Sequence, residues 1–168
     1  MTQPTATRPG KSMLQNYGIK PQADGLMTWN WVDEQMTKAR NYWVCSVRAD
    51  GRPHAAPVWG IWLDGTLYFS SSRRSVKGQN IARDPRVTIH LESGDDTVIF
   101  EGKLVELTDK AVYARVRVAY NAKYAMEAMA ETQDADNVTW YFEPSSALSW
   151  LESDFPNTAT RWELGHNP

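Results

Sequence analysis

The chain has 168 residues, a formal net charge of -2 and a pI near 5.9. That length suits one domain with a core that needs no cross-links, and without a basic excess the broad field that draws proteins onto nucleic acid or anionic lipid is missing. A single cysteine, Cys45, rules out an internal disulfide framework and fits a reducing, cytoplasmic setting, and no window approaches the roughly 18 unbroken apolar residues of a membrane span or the apolar core of a signal peptide.

Residues 1–25 are rich in Pro, Thr, Gln and Gly without apolar periodicity. They read as a flexible N-terminal arm, ordered only against a partner, ahead of a single domain over 26–168. From Thr28 to Arg40, Trp29, Val32, Met36 and Ala39 recur at helical spacing, with Thr28 as the N-cap, which predicts an amphipathic helix across a barrel end. The period then changes to alternation. YWVCSV reads as a strand with Trp43, Cys45 and Val47 on one apolar face, where Cys45 would be an inert buried thiol. Asp50-Gly51 turns the chain into HAAPVWGIWL, a strand interrupted by Pro57 and Gly60. Asp64-Gly65 turns it again into TLYFSSS. After a short helix, RVTIHLES and TVIFEGKLVEL form two further antiparallel strands. Asp109 caps a long outer helix through Ala130, with Val112, Val116, Tyr120 and Tyr124 on one face. VTWYFEPSSALSWLE supplies one or two last strands and TATRWEL a short terminal one. The expected class is mainly β, an antiparallel barrel with peripheral helices.

The segment Ser70 to Pro85, SSSRRSVKGQNIARDP, carries the strongest chemical signal. It joins a strand end to a helix start and gathers hydroxyls from Ser70, Ser71, Ser72 and Ser75. Arg74 and Lys77 lie beside the unpaired N–H groups of the helix's first turn. Such a junction binds anions: the helix dipole favours negative charge, Arg offers a planar fork and Lys a point charge to phosphate oxygens. Asn80, one turn on, can reach the same mouth or tie the loop to a neighbouring strand.

The order of these residues, Arg-Ser-x-Lys-x-x-Asn-Ile-x-x-Asp-Pro-Arg between a hydroxylated strand end and a Val/Ile strand, resembles the pyridoxamine 5'-phosphate oxidase-like flavoproteins, in particular their flavin/deazaflavin oxidoreductase branch. The resemblance covers Ala39 to Thr108, with ATRW similar to the family's last strand. It implies a six-stranded split β-barrel of the FMN-binding type that forms a homodimer, with FMN or F420 in a groove between subunits; the motif style favours F420. It also implies a phosphate held by Lys77, then Arg74, Ser75, Ser71 and Ser70, with Asn80 nearby. The ring would lie along Ala56, Pro57, Val58 and Trp59, with Trp59 or Trp62 walling the substrate. Arg161 and Trp162 match a terminal Arg-Trp able to reach the partner's groove, and His54 is a candidate proton donor. No dedicated catalytic base is evident, and His54 and His90 lack metal-ligand spacing. The implied activity is hydride transfer between ring N5 and a small conjugated substrate; the competing reading is a binding or storage protein for flavin, deazaflavin or heme.

Overall fold

The computed structural model describes residues 4–10, 16–125, 129 and 135–165. Its elements are β1 (Thr5–Thr7), α1 (Trp29–Lys38), β2 (Asn41–Val47), β3 (Pro53–Trp59), β4 (Ile61–Leu63), β5 (Thr66–Ser72), α2 (Val76–Arg83), β6 (Arg86–His90), β7 (Asp96–Glu106), α3 (Lys110–Tyr124), β8 (Asn137–Leu151), a 3-10 turn (Glu152–Asp154), α4 (Phe155–Thr158) and β9 (Thr160–Glu163). Every strand pairing is antiparallel.

The sheet runs β1-β9-β8-β7-β6-β2-β3, with β5 attached to β8 and β4 to β5. The 15-residue β8 is its spine. Along one edge β8 pairs with β7; along the other its first part takes β5 and its second part β9. This is the expected antiparallel split barrel, with nine strands among the described residues rather than six. Gly60 divides the second expected strand into β3 and β4, and β1 extends the sheet beyond β9. The sheet does not close, because β3 and β5 are not hydrogen-bonded to one another.

The first part of the chain departs from the loose-arm expectation. Thr5–Thr7 pair with Arg161–Glu163, and the Arg8 guanidinium donates to the carbonyls of Gln22, Asp24, Asn157 and Ala159 at 2.6–3.0 Å. Ile19 is buried. A three-residue strand is too short to leave a period in the sequence, and the fork that holds it acts over about 150 residues of chain separation.

The α1 expectation holds in detail. Thr28 Oγ1 accepts the Trp31 N–H, and Val32 and Met36 are fully buried, worth about 1.5–3 kcal/mol each. They meet Phe69, Phe100, Phe142 and Trp162 in the barrel core. A second cluster forms where α3 lays Tyr113, Val116, Tyr120 and Tyr124 over Ile61, Tyr68 and Leu107. The helix stops at Tyr124, with Ala125 left-handed at φ 52°; the expected continuation through Ala130 lies mostly outside the described residues.

The interior face of β2 is the reverse of the one expected. Tyr42, Val44 and Ser46 are buried, whereas Trp43 and Cys45 are half-buried and Val47 is exposed. Alternation separates two faces without saying which is inside, and here both are apolar. Tyr42 settles the choice, since its hydroxyl finds the Met36 carbonyl at 2.6 Å in the interior.

Candidate functional site

The Arg48 N–H donates to the Arg52 carbonyl at 2.9 Å, and that bond sets the phase of the β2–β3 ladder. Backbone directions alternate along a strand, so the even-numbered residues of β3 pair with β2 and Pro53, Ala55, Pro57 and Trp59 turn outward. Since β3 is the last strand on this path, those four face an open edge. Only Ala55 and Trp59 offer N–H groups there, because proline has none. Of the four expected ring-strand residues, then, Pro57 and Trp59 present backbone to the edge, while Ala56 and Val58 spend theirs on β2. Val58 is also part of the core.

The loop after β5 is drawn tight. Ser70 Oγ shares a hydrogen with Thr139 Oγ1 at 2.7 Å, and buried Ser71 accepts from Trp140 Nε1 at 3.3 Å. Ser75 caps α2, accepting from the Gly78 N–H at 3.1 Å and donating to the Ser72 carbonyl at 2.8 Å. A Cβ on Gly78 would collide with the carbonyls of Ser72 and Arg73, so only glycine lets the helix start this close to the strand end. Arg74 points outward to Asp136 at 3.1 Å, its side chain 80% exposed. Asn80 is buried and donates to Ser46 Oγ at 3.0 Å. The expected hydroxyl cradle is thus largely committed to its own loop and to β8, and Asn80 serves as a tie.

Lys77 is the exception. It is half-buried, it takes part in no ion pair among the described residues, and burial holds its ammonium below the usual lysine range. Its charge acts on His54, which lies on the inner side of β3. Burial lowers the His54 pKa, and Arg48 and Lys77 lower it further. The Nδ1 atom of His54 is buried with no hydrogen-bond partner among the described residues, which is uncommon for a buried polar atom. Next to Arg48, with neither His54 nor Lys77 in its lining, a cavity of about 430 Å³ is bounded by Arg48, Arg52, Gln79, Asn80 and Arg83. Asp50, already held by Arg52 at 2.7 Å, is the lone carboxylate in that lining. Sequence reasoning missed Arg48, Arg52 and Arg83. The signal was available in RADGR, since an Asp-Gly turn brings the two flanking arginines side by side.

At the other end of β3 the Trp59 ring stacks on Tyr124, centroids 4.6 Å apart and planes 6° apart. Trp59 remains a candidate wall at 37% exposure. Trp62 does not: it is a core residue whose indole N–H reaches Asp33 at 2.7 Å. Trp162 is 2% exposed, with its N–H on Ser149 at 2.9 Å and its ring edge-on to Trp29, so it fills this chain's own core and cannot wall a partner's groove. Arg161 lies half-buried on the opposite face of β9, across from Leu148 and Thr7.

The outward face of the sheet is apolar at its centre. Trp43, Cys45, Ala55, Pro57 and Thr88 share it, His90 stacks parallel to Trp43 at 6.2 Å, and a cavity of about 540 Å³ opens beside Cys45. Burial raises the Cys45 thiol pKa. No helix among the described residues is long and apolar enough to cross a membrane.

No curated protein matches the sequence. Among solved structures, the fold is similar to a conserved hypothetical protein of Mycobacterium tuberculosis, at 22% identity and TM-score 0.65 over 89% of this chain and 96% of that one. It is also similar to an F420 reductase, at 22% identity and TM-score 0.51 over 68% and 94%. A heme-binding protein from Mycobacterium smegmatis shares the fold at 17% identity and TM-score 0.55 over 83% and 62%. The family model described as pyridoxamine 5'-phosphate oxidase matches residues 31–151. That match spans β2 to β8, with the open-edged strand and the loop between β5 and α2, and the chain belongs to the pyridoxamine 5'-phosphate oxidase-like split-barrel family.

Proposed function

We propose that the chain binds FMN or F420 by its phosphate at the Lys77–His54–Arg48 cluster, with the ring along the open edge of β3, and acts as an oxidoreductase. The observation that carries this reading is the buried, partnerless Nδ1 of His54, on a ring whose pKa the nearby Arg48 and Lys77 charges both lower. A phosphate oxygen there would meet a donor, relieve the repulsion between Lys77 and Arg48, and recover part of what their burial costs. The family's flavin binding and the fold shared with an F420 reductase support it.

In this reading Lys77 and Arg48 neutralise the tail, and protonated His54 donates to it. Ala55 and Trp59 supply the two N–H donors available to ring oxygens, and Pro57 keeps that stretch of edge from pairing with another strand. A bound flavin or deazaflavin supplies hydride exchange at N5 with a small conjugated or unsaturated substrate. A second copy of the chain covers the Trp43–Cys45–Ala55–Pro57 face, giving a homodimer.

Titration with FMN and with F420, followed by fluorescence, tests the reading. Lys77→Ala removes a charge-assisted contact and should weaken binding by about ten- to a hundredfold; unchanged affinity removes the site. Reduction of members of an enone and quinone panel by the loaded protein supports an oxidoreductase, and a firmly bound chromophore that reduces none of them supports storage.

A further inference from the structure

Arg40 leaves the end of α1 and brings its guanidinium carbon to 5.4 Å from the Trp59 ring centroid and 5.7 Å from that of Tyr124. The two rings are parallel and 4.6 Å apart. Nearly equal distances to both centroids put the guanidinium beside the stack, and the Trp59 side of it remains 37% exposed.

Lys123 approaches the same stack from α3. Its ammonium donates to Tyr42 Oη and to the Gly60 carbonyl, both at 3.0 Å, and lies 5.5 Å from the Tyr124 centroid. Neither Arg40 nor Lys123 takes part in an ion pair among the described residues, although seven other Lys or Arg side chains do. Two unneutralised cations beside one aromatic stack repel one another, and an anion held at Arg40 offsets that repulsion. Burial first, and Arg40 second, hold the Lys123 pKa down to about 8.

We infer that the Trp59 end of β3 is the substrate site and that it selects a planar conjugated carboxylate, the π-system stacked on the Trp59 indole and the carboxylate received by Arg40. This rests on the cofactor reading only in calling the ligand a substrate. The guanidinium fork matches a carboxylate in its plane, and the indole face suits a flat unsaturated body. Lys123 adds a second positive charge behind the aromatic stack. His54 and Trp59 are five residue steps apart on β3, about 17 Å of strand, so a single phosphate group at the His54 end cannot also neutralise this cluster.

The test is calorimetric titration of the full chain with trans-cinnamate and, separately, trans-cinnamamide, which has the same shape without the charge. Cinnamate should bind at least about tenfold more tightly, and Arg40→Gln should bring it down to the level of the amide, the scale of one charge-assisted contact. Arg40→Lys should retain part of the preference. Equal binding of acid and amide, no binding of either, or an unchanged cinnamate affinity in Arg40→Gln overturns the inference. Arg40 is exposed and makes no side-chain hydrogen bond among the described residues, so a thermal melt matching wild type is expected for both variants. Lys77→Ala separates the two readings: cinnamate binding that persists while FMN and F420 fail to bind even the wild type sinks the cofactor reading alone. The converse sinks only this one.

Discussion

Asn80 Nδ2 donates to Ser46 Oγ across 3.0 Å in the protein interior, joining the middle of α2 to the inner face of β2. Through that bond the helix bearing Lys77 is registered against the hairpin bearing Arg48. Asn80→Ala removes it and strands the buried Ser46 hydroxyl, so a loss of about 1–3 kcal/mol is expected. For a chain of this size, melting should fall by about 2–4 °C per kcal/mol. Urea denaturation of the two proteins measures it. Cofactor affinity should fall as well, since the cationic groups lose their common frame.

His54 reports on the proposed anion site. Burial, then Arg48, then Lys77, lower its pKa, so an anion bound beside it should raise it, and binding should take up protons at pH values between the free and the bound pKa. NMR titration of the His54 ring with and without FMN should show the upward shift. In the unliganded protein Lys77→Ala should also raise it, by deleting one of the two cations. A ring whose titration ignores both changes is not in the site.

Lys123 makes stability depend on alkaline pH. Its pKa drops from 10.5, the ordinary lysine value, to about 8 in the folded chain. Between those values the unfolded chain holds a proton that the folded chain has released, so this group's contribution to stability rises with pH from about 8 to 10. Wild type should therefore gain on Lys123→Met as pH is raised from about 7.5 to 10 in paired urea titrations. A difference that stays flat across that window would show an ordinary, solvated lysine.

Ala55 sits exposed at the centre of the outward sheet face, opposite Cys45. Ala55→Arg places a charge there without touching the core. If a second copy covers this face, sedimentation should find a dimer for wild type and a monomer for the variant, and Cys45 should alkylate faster in the variant. A monomeric wild type would leave that face free.

Much of the barrel was legible in the chain. The α1 stripe, the two Asp-Gly turns and the Asp109 cap are local signals, each carried by neighbours in sequence, and each appears where it was read. Lys77 was legible too, as a cation just inside a helix start. The hydroxyls around it also do local work that the sequence did not show: Ser70 and Ser71 tie the strand end to β8 and Ser75 caps α2. Arg74 was drawn away by Asp136, far along the chain.

The residues by themselves determined the mainly β class, the family and the position of the helix that follows the third expected strand, because period, turn chemistry and motif order are properties of adjacent residues. Tertiary structure alone decided which face of β2 is inside, that β3 is the last strand on its path, that Arg48 and Lys77 both act on His54, and that Arg40 and Lys123 meet at Tyr124. A formal charge of -2 conceals both cationic clusters. Electrostatic energy depends on distance and burial, and neither exists until the chain has folded.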